Sequence, residues 1–264
     1  MAQVTVRGHV VGYDLEGQGP PMLFLMGFGM QRVAWRHQMA GLKSDFTVCC
    51  FDNRGIGEST AGTLRVGLGE LAADAVGLMD ELGWADAHIV GVSMGGMTAQ
   101  HIALHHRARV RSLSLVATHA GGGPHRTLPS LQALRLFRKA NASSGAERLE
   151  VLKQLLYPPG QAPVAQGAFE EIAEPAAGRT RLVQLASILT HRTESQLHKL
   201  AGLPTLVIRP DADILVPPRC SDALARAIPG ARLVSIPNGG HGVTAQMPDL
   251  VNALLREHAQ AADG

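Results

Sequence analysis

The stretch Gly91-Val92-Ser93-Met94-Gly95-Gly96 carries residue types that nucleophilic chemistry needs, at the spacing it needs. A short apolar run, His88-Ile89-Val90, precedes it and reads as a buried strand. A segment rich in small residues, Gly95, Gly96, Ala99 and Ala103, follows it and reads as a helix. Gly-x-Ser-x-Gly between a strand and a helix is the nucleophile-elbow pattern. So tight a turn holds the serine in a strained backbone conformation with its hydroxyl exposed. Gly91 and Gly95 remove Cβ atoms that would collide with it. The backbone N–H of Met94 then points outward at the helix start, where the dipole favours negative charge. One turn thus supplies a nucleophile and half of an anion site. Alone, the pattern also fits an ordinary glycine-rich turn. The chain must therefore add an oxyanion loop upstream, and an acid and a histidine downstream.

The acid and the histidine stand at predicted strand ends. Asp213 lies just past the apolar run Pro204-Thr205-Leu206-Val207-Ile208, and His241 just past Leu233-Val234-Ser235-Ile236. Asp211 shares the loop with Asp213. The run Ile214-Leu215-Val216-Pro217 can anchor a return of Asp213 towards the neighbouring histidine loop. Asp211 is then expected to bond nearby backbone N–H groups as a turn residue. The chain order Ser…Asp…His is one of the known triad orders, and loops beyond the carboxyl ends of parallel strands can converge.

The elements that must position these residues follow from the rest of the chain. Its 264 residues suffice for one large α/β domain or two small ones. Hydrophobic residues make up 45% and charged residues 17%, which argues for a sizeable core. A net charge of +2 points to neither a nucleic-acid nor a membrane surface. The first residues predict no signal peptide, and no segment approaches the ~20 apolar residues of a membrane span. Cys49, Cys50 and Cys220 read as buried free thiols of a cytoplasmic protein. They lack metal-ligand spacing, so neither a metal nor a cofactor is expected.

A hairpin is expected over Gln3–Val6 and His9–Tyr13, buried strands over 22–26, 88–90 and 204–208, and further strands over 46–51, 110–117 and 233–236. An amphipathic helix over Glu70–Leu82 places Leu71, Ala75, Leu78 and Leu82 on one face, and Asp74, Gly77 and Glu81 on the other. Helices are also expected from the elbow to about His106, over 218–228 and over 248–258. Alternating strands and helices imply a doubly wound, mostly parallel sheet. The rhythm stops at Gly121-Gly122-Gly123-Pro124. As far as Leu200 only helical patterns appear: Leu131, Leu134 and Phe137; Leu149, Leu152 and Leu156; Leu182, Leu185 and Leu189. The expected organisation is a core of residues 1–120 and 201–264, with a helical insertion over 121–200. Its leucine stripes are expected to line a pocket or to pack the insertion onto the core.

With these parts in order, the chain resembles the α/β-hydrolase fold family, in its large cofactor-free esterase, lipase and haloperoxidase-like group. The turn Asp52-Asn53-Arg54-Gly55-Ile56-Gly57-Glu58-Ser59 is similar to the family's Asp-x-Arg-Gly-x-Gly-x-Ser turn. The family's oxyanion loop usually begins His-Gly. Here it reads Met26-Gly27-Phe28, which keeps the backbone donor but not the histidine. Pro210 stands where the family often has glycine. The insertion matches the family's cap, or lid.

The resemblance implies Ser93 as nucleophile, His241 as general base and acid, and Asp213 as the group that orients the imidazole. It also implies the N–H groups of Phe28 and Met94 as oxyanion donors, and a small-molecule ester of small to medium, largely apolar character as substrate. Carbon–carbon bond hydrolysis, perhydrolysis and lactone opening use the same triad, and a receptor-like member would use none of it. Dehalogenase chemistry is disfavoured, since that branch carries Asp where Ser93 stands. A dinucleotide site is disfavoured too, because Gly91-x-Ser93-x-x-Gly96 lacks the second glycine, and Arg111 and Ser112 occupy the region of the ribose-binding acid. His119 and His125, near the start of the insertion, are read as ordinary loop residues.

Overall fold

The computed structural model describes residues 2–62, 67–121, 129–161 and 178–264. Its strands are β1 (Ala2–Val6), β2 (His9–Glu16), β3 (Pro21–Leu25), β4 (Thr47–Phe51), β5 (Ala87–Val92), β6 (Val110–Val116), β7 (Thr205–Pro210) and β8 (Arg232–Ile236). They form one eight-stranded sheet in the order β1-β2-β4-β3-β5-β6-β7-β8. The β1–β2 hairpin turns at Arg7 and Gly8, both at positive φ, which matches the twist of a two-residue connection. β2 pairs antiparallel with β4, and every later pairing is parallel.

The helices between the strands are α1 (Arg36–Leu42), α2 (Leu68–Glu81), α3 (Met94–His105), α4 (Leu131–Ala142), α5 (Gly145–Leu156), α6 (Gly178–Thr190), α7 (Pro218–Ala227), α8 (Val243–Gln246) and α9 (Pro248–Asp263). Successive residues of a strand face opposite sides, so each central strand feeds two cores. Leu23, Ile89, Leu113 and Val207 pack with α2, α3 and α7. Phe24, Val90, Val116 and Ile208 pack with α1 and α9 on the other face. Strands buried on both faces explain why they read as continuous apolar runs. Cys49, Cys50 and Cys220 are buried, and none of them is in a disulfide. Among the described residues no helix is long and apolar enough to cross a membrane.

Three expectations differ from the structure. The sequence predicts no helix between β3 and β4, where α1 lies; seven residues are too few to show a helical period. Asp74 does not face solvent from α2. It is buried, and Arg54 grips it with both Nε and Nη2, the latter at 2.7 Å, while Arg7 reaches it at 3.0 Å. A carboxylate gripped by guanidinium groups can occupy an inward position that the apolar period alone denies it. Two of the three leucine stripes face solvent in part, while Phe137, Leu149, Leu152, Leu156 and Leu185 are half-buried. Leu131, Leu182 and Leu189 are 74%, 69% and 66% exposed. α6 instead buries Thr180, Gln184 and Ser187, which lie four and three residues apart on one face.

Candidate active site

The candidate nucleophile elbow forms where β5 ends and α3 begins. Ser93 has φ 54° and ψ −121°, a conformation that side-chain-bearing residues rarely adopt, and it is only partly buried. The glycines around it relieve contacts with backbone rather than with the serine. A Cβ on Gly91 would press on the Gly95 carbonyl and come within 2.7 Å of Gly96 Cα; one on Gly95 would strike the Leu25 carbonyl at the end of β3. Ser93 N–H donates to Val116 O of β6 at 2.9 Å, and Thr118 Oγ donates to Ser93 O at 2.7 Å. The strained turn is thereby tied to the neighbouring strand end. Met94 N–H lies in the first turn of α3, among the donors that find no acceptor within their own helix.

The loop after β7 brings Asp213, not Asp211, to the histidine. Asp213 Oδ2 lies 2.7 Å from His241 Nδ1. Its other oxygen accepts from the N–H groups of Leu215 and Val216 at 2.8 and 2.9 Å, the return run foreseen in the sequence. An ionised carboxylate only accepts hydrogen bonds, so His241 carries its hydrogen on Nδ1, and Nε2 is left as the basic nitrogen. Asp211 does not bond backbone N–H groups as expected. Its carboxylate accepts from Arg209 Nε at 3.1 Å and from the Ser235 hydroxyl.

The histidine loop is narrow by necessity. A Cβ on Gly240 would meet Pro158 Cδ at 2.8 Å, and one on Gly242 would meet the Tyr157 ring at 2.6 Å. Gly242 N–H donates to Leu156 O at 2.9 Å, so the chain leaving α5 braces His241 from outside the core.

The loop after β3, the candidate oxyanion loop, passes against the elbow. A Cβ on Gly27 would lie 3.4 Å from Ser93 Cβ and 3.9 Å from its Oγ. Two hydrogen bonds hold the loop's first carbonyls: Asn53 Nδ2 donates to Met26 O at 3.3 Å, and Met30 N–H to Gly27 O at 3.5 Å. In a trans peptide the C=O and N–H point opposite ways, so fixing the Gly27 carbonyl fixes the Phe28 N–H. The Phe28 side chain packs with Leu68, Leu71, Met94, Met97 and Ile188, and its ring centroid lies 5.9 Å from that of Phe137 on α4.

The turn that follows β4 is structural. Asp52 pairs with Arg32 and accepts from Glu58 N–H at 3.2 Å, while Ser59 Oγ donates to Asp52 O at 2.7 Å. Its Asn53 is the residue that touches the oxyanion loop.

His119 is no ordinary loop residue. It is buried, its Nδ1 accepts the Gly121 N–H at 3.1 Å, and His191 Nε2 lies 3.1 Å from its carbonyl oxygen. Burial pushes its pKa down to about 4, with Arg192 and His241 adding to the shift. His125 lies outside the described residues. Sequence reasoning missed Asn53, Thr118 and Gln184. Asn53 sat in a recognised turn, but neither Thr118 nor Gln184 belongs to any motif.

A profile described as alpha/beta hydrolase fold matches residues 20–244. The chain belongs to the alpha/beta hydrolase fold family. Among its hydrolase relatives, a protein of Caulobacter sp. (strain K31) named carbamate hydrolase RutD is 33% identical, over 94% of this chain and 96% of its own. A RutD of Azorhizobium caulinodans is 30% identical over 92% of each chain. Among solved structures in the family, a thermophilic esterase from Thermogutta terrifontis superimposes with a TM-score of 0.83 at 25% identity, over 99% of both chains.

Proposed function

We propose that this hydrolase is a serine esterase that cleaves carboxylic esters of small to medium, largely apolar substrates through an acyl-enzyme. One observation carries the reading: the 2.7 Å Asp213–His241 contact, in a molecule that also holds Ser93 at positive φ beside Gly27. Ser93 Oγ adds to the ester carbonyl as His241 Nε2 takes its proton. The new oxyanion is met by the N–H groups of Phe28 and Met94, each worth ~3–4 kcal/mol in comparable sites. The tetrahedral intermediate collapses, His241 returns the proton to the departing alcohol, and the acyl group stays on Ser93. Water then repeats the sequence and frees the acid. Asp213 holds the imidazole in the tautomer this requires.

The apolar preference rests on Phe28, Leu68, Leu71, Met97 and Ile188, which gather around Met94. We assign α4, α5 and α6 to a cap over this cluster. The resemblance to RutD favours a second substrate class, carbamates, which undergo the same addition and collapse with a carbamoyl group on the serine.

Turnover of p-nitrophenyl esters of graded acyl length, beside a p-nitrophenyl carbamate, tests both. Esters from acetate to butyrate should be cleaved, and Ser93→Ala should abolish the activity. A fluorophosphonate adduct mapped by mass to any residue but Ser93 would overturn the nucleophile. Faster turnover of the carbamate than of every ester would replace the substrate class.

A further inference from the structure

The loop that holds Phe28 lacks the histidine with which such loops usually begin, and its support comes from elsewhere. Gln184 projects from α6, across the molecule from that loop in sequence. It is 3% exposed, and its Oε1 accepts the Gly29 N–H at 2.8 Å. Gly29 stands at φ 66°, so the peptide that follows Phe28 is turned sharply, and this bond is what meets its N–H. The Gln184 Nε2 is buried and has no hydrogen-bond partner among the described residues. An amide that leaves its donor unsatisfied gains nothing in stability over a shape-matched apolar side chain except through the bond its oxygen accepts.

Neighbours on the same helix face act alike. Ser187 Oγ accepts the Gly67 N–H at 3.0 Å, and Thr180 fills the space a Cβ on Gly55 would need. Gly55 belongs to the turn that sends Asn53 to Met26 O. α6 thus presents a polar stripe to three glycine turns of the core, and Gln184 is its contact with the anion site.

We infer that Gln184 is a positioning residue: its side-chain oxygen anchors the Phe28–Gly29 peptide and, through Phe28 Cα, steadies the adjoining Gly27–Phe28 peptide whose N–H faces the developing oxyanion. The inference rests on the serine-esterase reading. It adds that the anion site is complete only when α6 is seated on the core.

Gln184→Met keeps the length of the side chain and removes the acceptor. Gln184→Glu keeps an acceptor for Gly29 N–H and loses no bond that Gln184 makes. With p-nitrophenyl butyrate, Gln184→Met should lower kcat roughly tenfold, part of what a whole oxyanion donor supplies, with KM within about twofold. Gln184→Glu should recover most of the loss. The Gly29 amide should exchange with deuterium faster in Gln184→Met alone, a readout independent of turnover. Ser93-dependent activity that Gln184→Met leaves within twofold of wild type overturns this inference and spares the esterase reading. So does an equal loss in both variants, which would make packing rather than the acceptor decisive. Activity that survives Ser93→Ala overturns the esterase reading, and this inference with it.

Discussion

Asp211 and Asp213 stand two positions apart and meet different partners, which makes them a sharp test of which acid orients His241 in the proposed triad. Asp213 is shared between His241 and two backbone donors, whereas Asp211 answers Arg209 and Ser235 at the surface. Asp213→Asn puts an amide against His241 Nδ1 and favours the wrong tautomer. It is expected to lower kcat by ~10⁴, as the serine-protease precedent suggests. Asp211→Asn should change kcat by less than about threefold, since it loses one exposed ion pair. Kinetics of both variants on one ester decide the assignment, and a larger loss in the Asp211 variant would reverse it.

The elbow couples a strand, a turn and a helix so tightly that its glycines answer to the sheet. Gly96→Ala would drive a methyl group to within 2.6 Å of Thr118 Cγ2, and Gly95→Ala would drive one into the last carbonyl of β3. A side-chain neighbour can yield and a strand backbone cannot, so Gly95→Ala should be the more destabilising. The expected loss is at least ~2 kcal/mol, within or above the usual cost of overpacking. Urea unfolding of the two variants reads the order directly. The same distinction explains what was legible beforehand. Glycine spacing, apolar runs and the positions of Asp213 and His241 follow from local chain chemistry, so the strands, the elbow and the acid–histidine pair could be read from sequence. α6 could not be read correctly. Its leucines form a clear stripe, but the side that docks carries Thr180, Gln184 and Ser187, whose partners are backbone N–H groups and glycine surfaces remote in sequence. Asp74 was misread for the same reason: its inward position depends on Arg54 and Arg7, which no periodicity within α2 reveals.

Across the whole molecule, the segment between β6 and β7 touches the surroundings of each group in the proposed machinery. Ser130 N–H donates to Ile214 O beside the acid, Leu156 accepts from Gly242 beside the histidine, and Gln184 holds the oxyanion loop. Loosening this segment should therefore depress turnover before the sheet unfolds. On heating, ester hydrolysis is expected to fall several degrees below the far-ultraviolet melting transition, and coincident curves would contradict it. Acid should act on the whole fold through its buried imidazoles. Burial pushes His119 to about 4 and His191 to about 3, against an ordinary 6.5. Between these values and 6.5 the unfolded chain binds protons that the native state refuses, so stability is intact above about pH 6.5 and drains away as pH falls. Two such groups contribute up to roughly 4 kcal/mol between about pH 7 and pH 5. Urea midpoints at the two pH values measure it, and a flat dependence would mean that these histidines are not buried neutral. The three buried cysteines offer a different kind of access to the same events. Burial raises the Cys50 thiol to about 12 and that of Cys220 to about 11, so neither is a thiolate while covered. Cys49 and Cys50 sit in a central strand and Cys220 in an outer helix. The chain therefore carries its own clock of breathing: a disulfide reagent applied to the native protein should capture Cys220 at the tempo of local opening, and the β4 pair only at the tempo of the whole sheet coming apart.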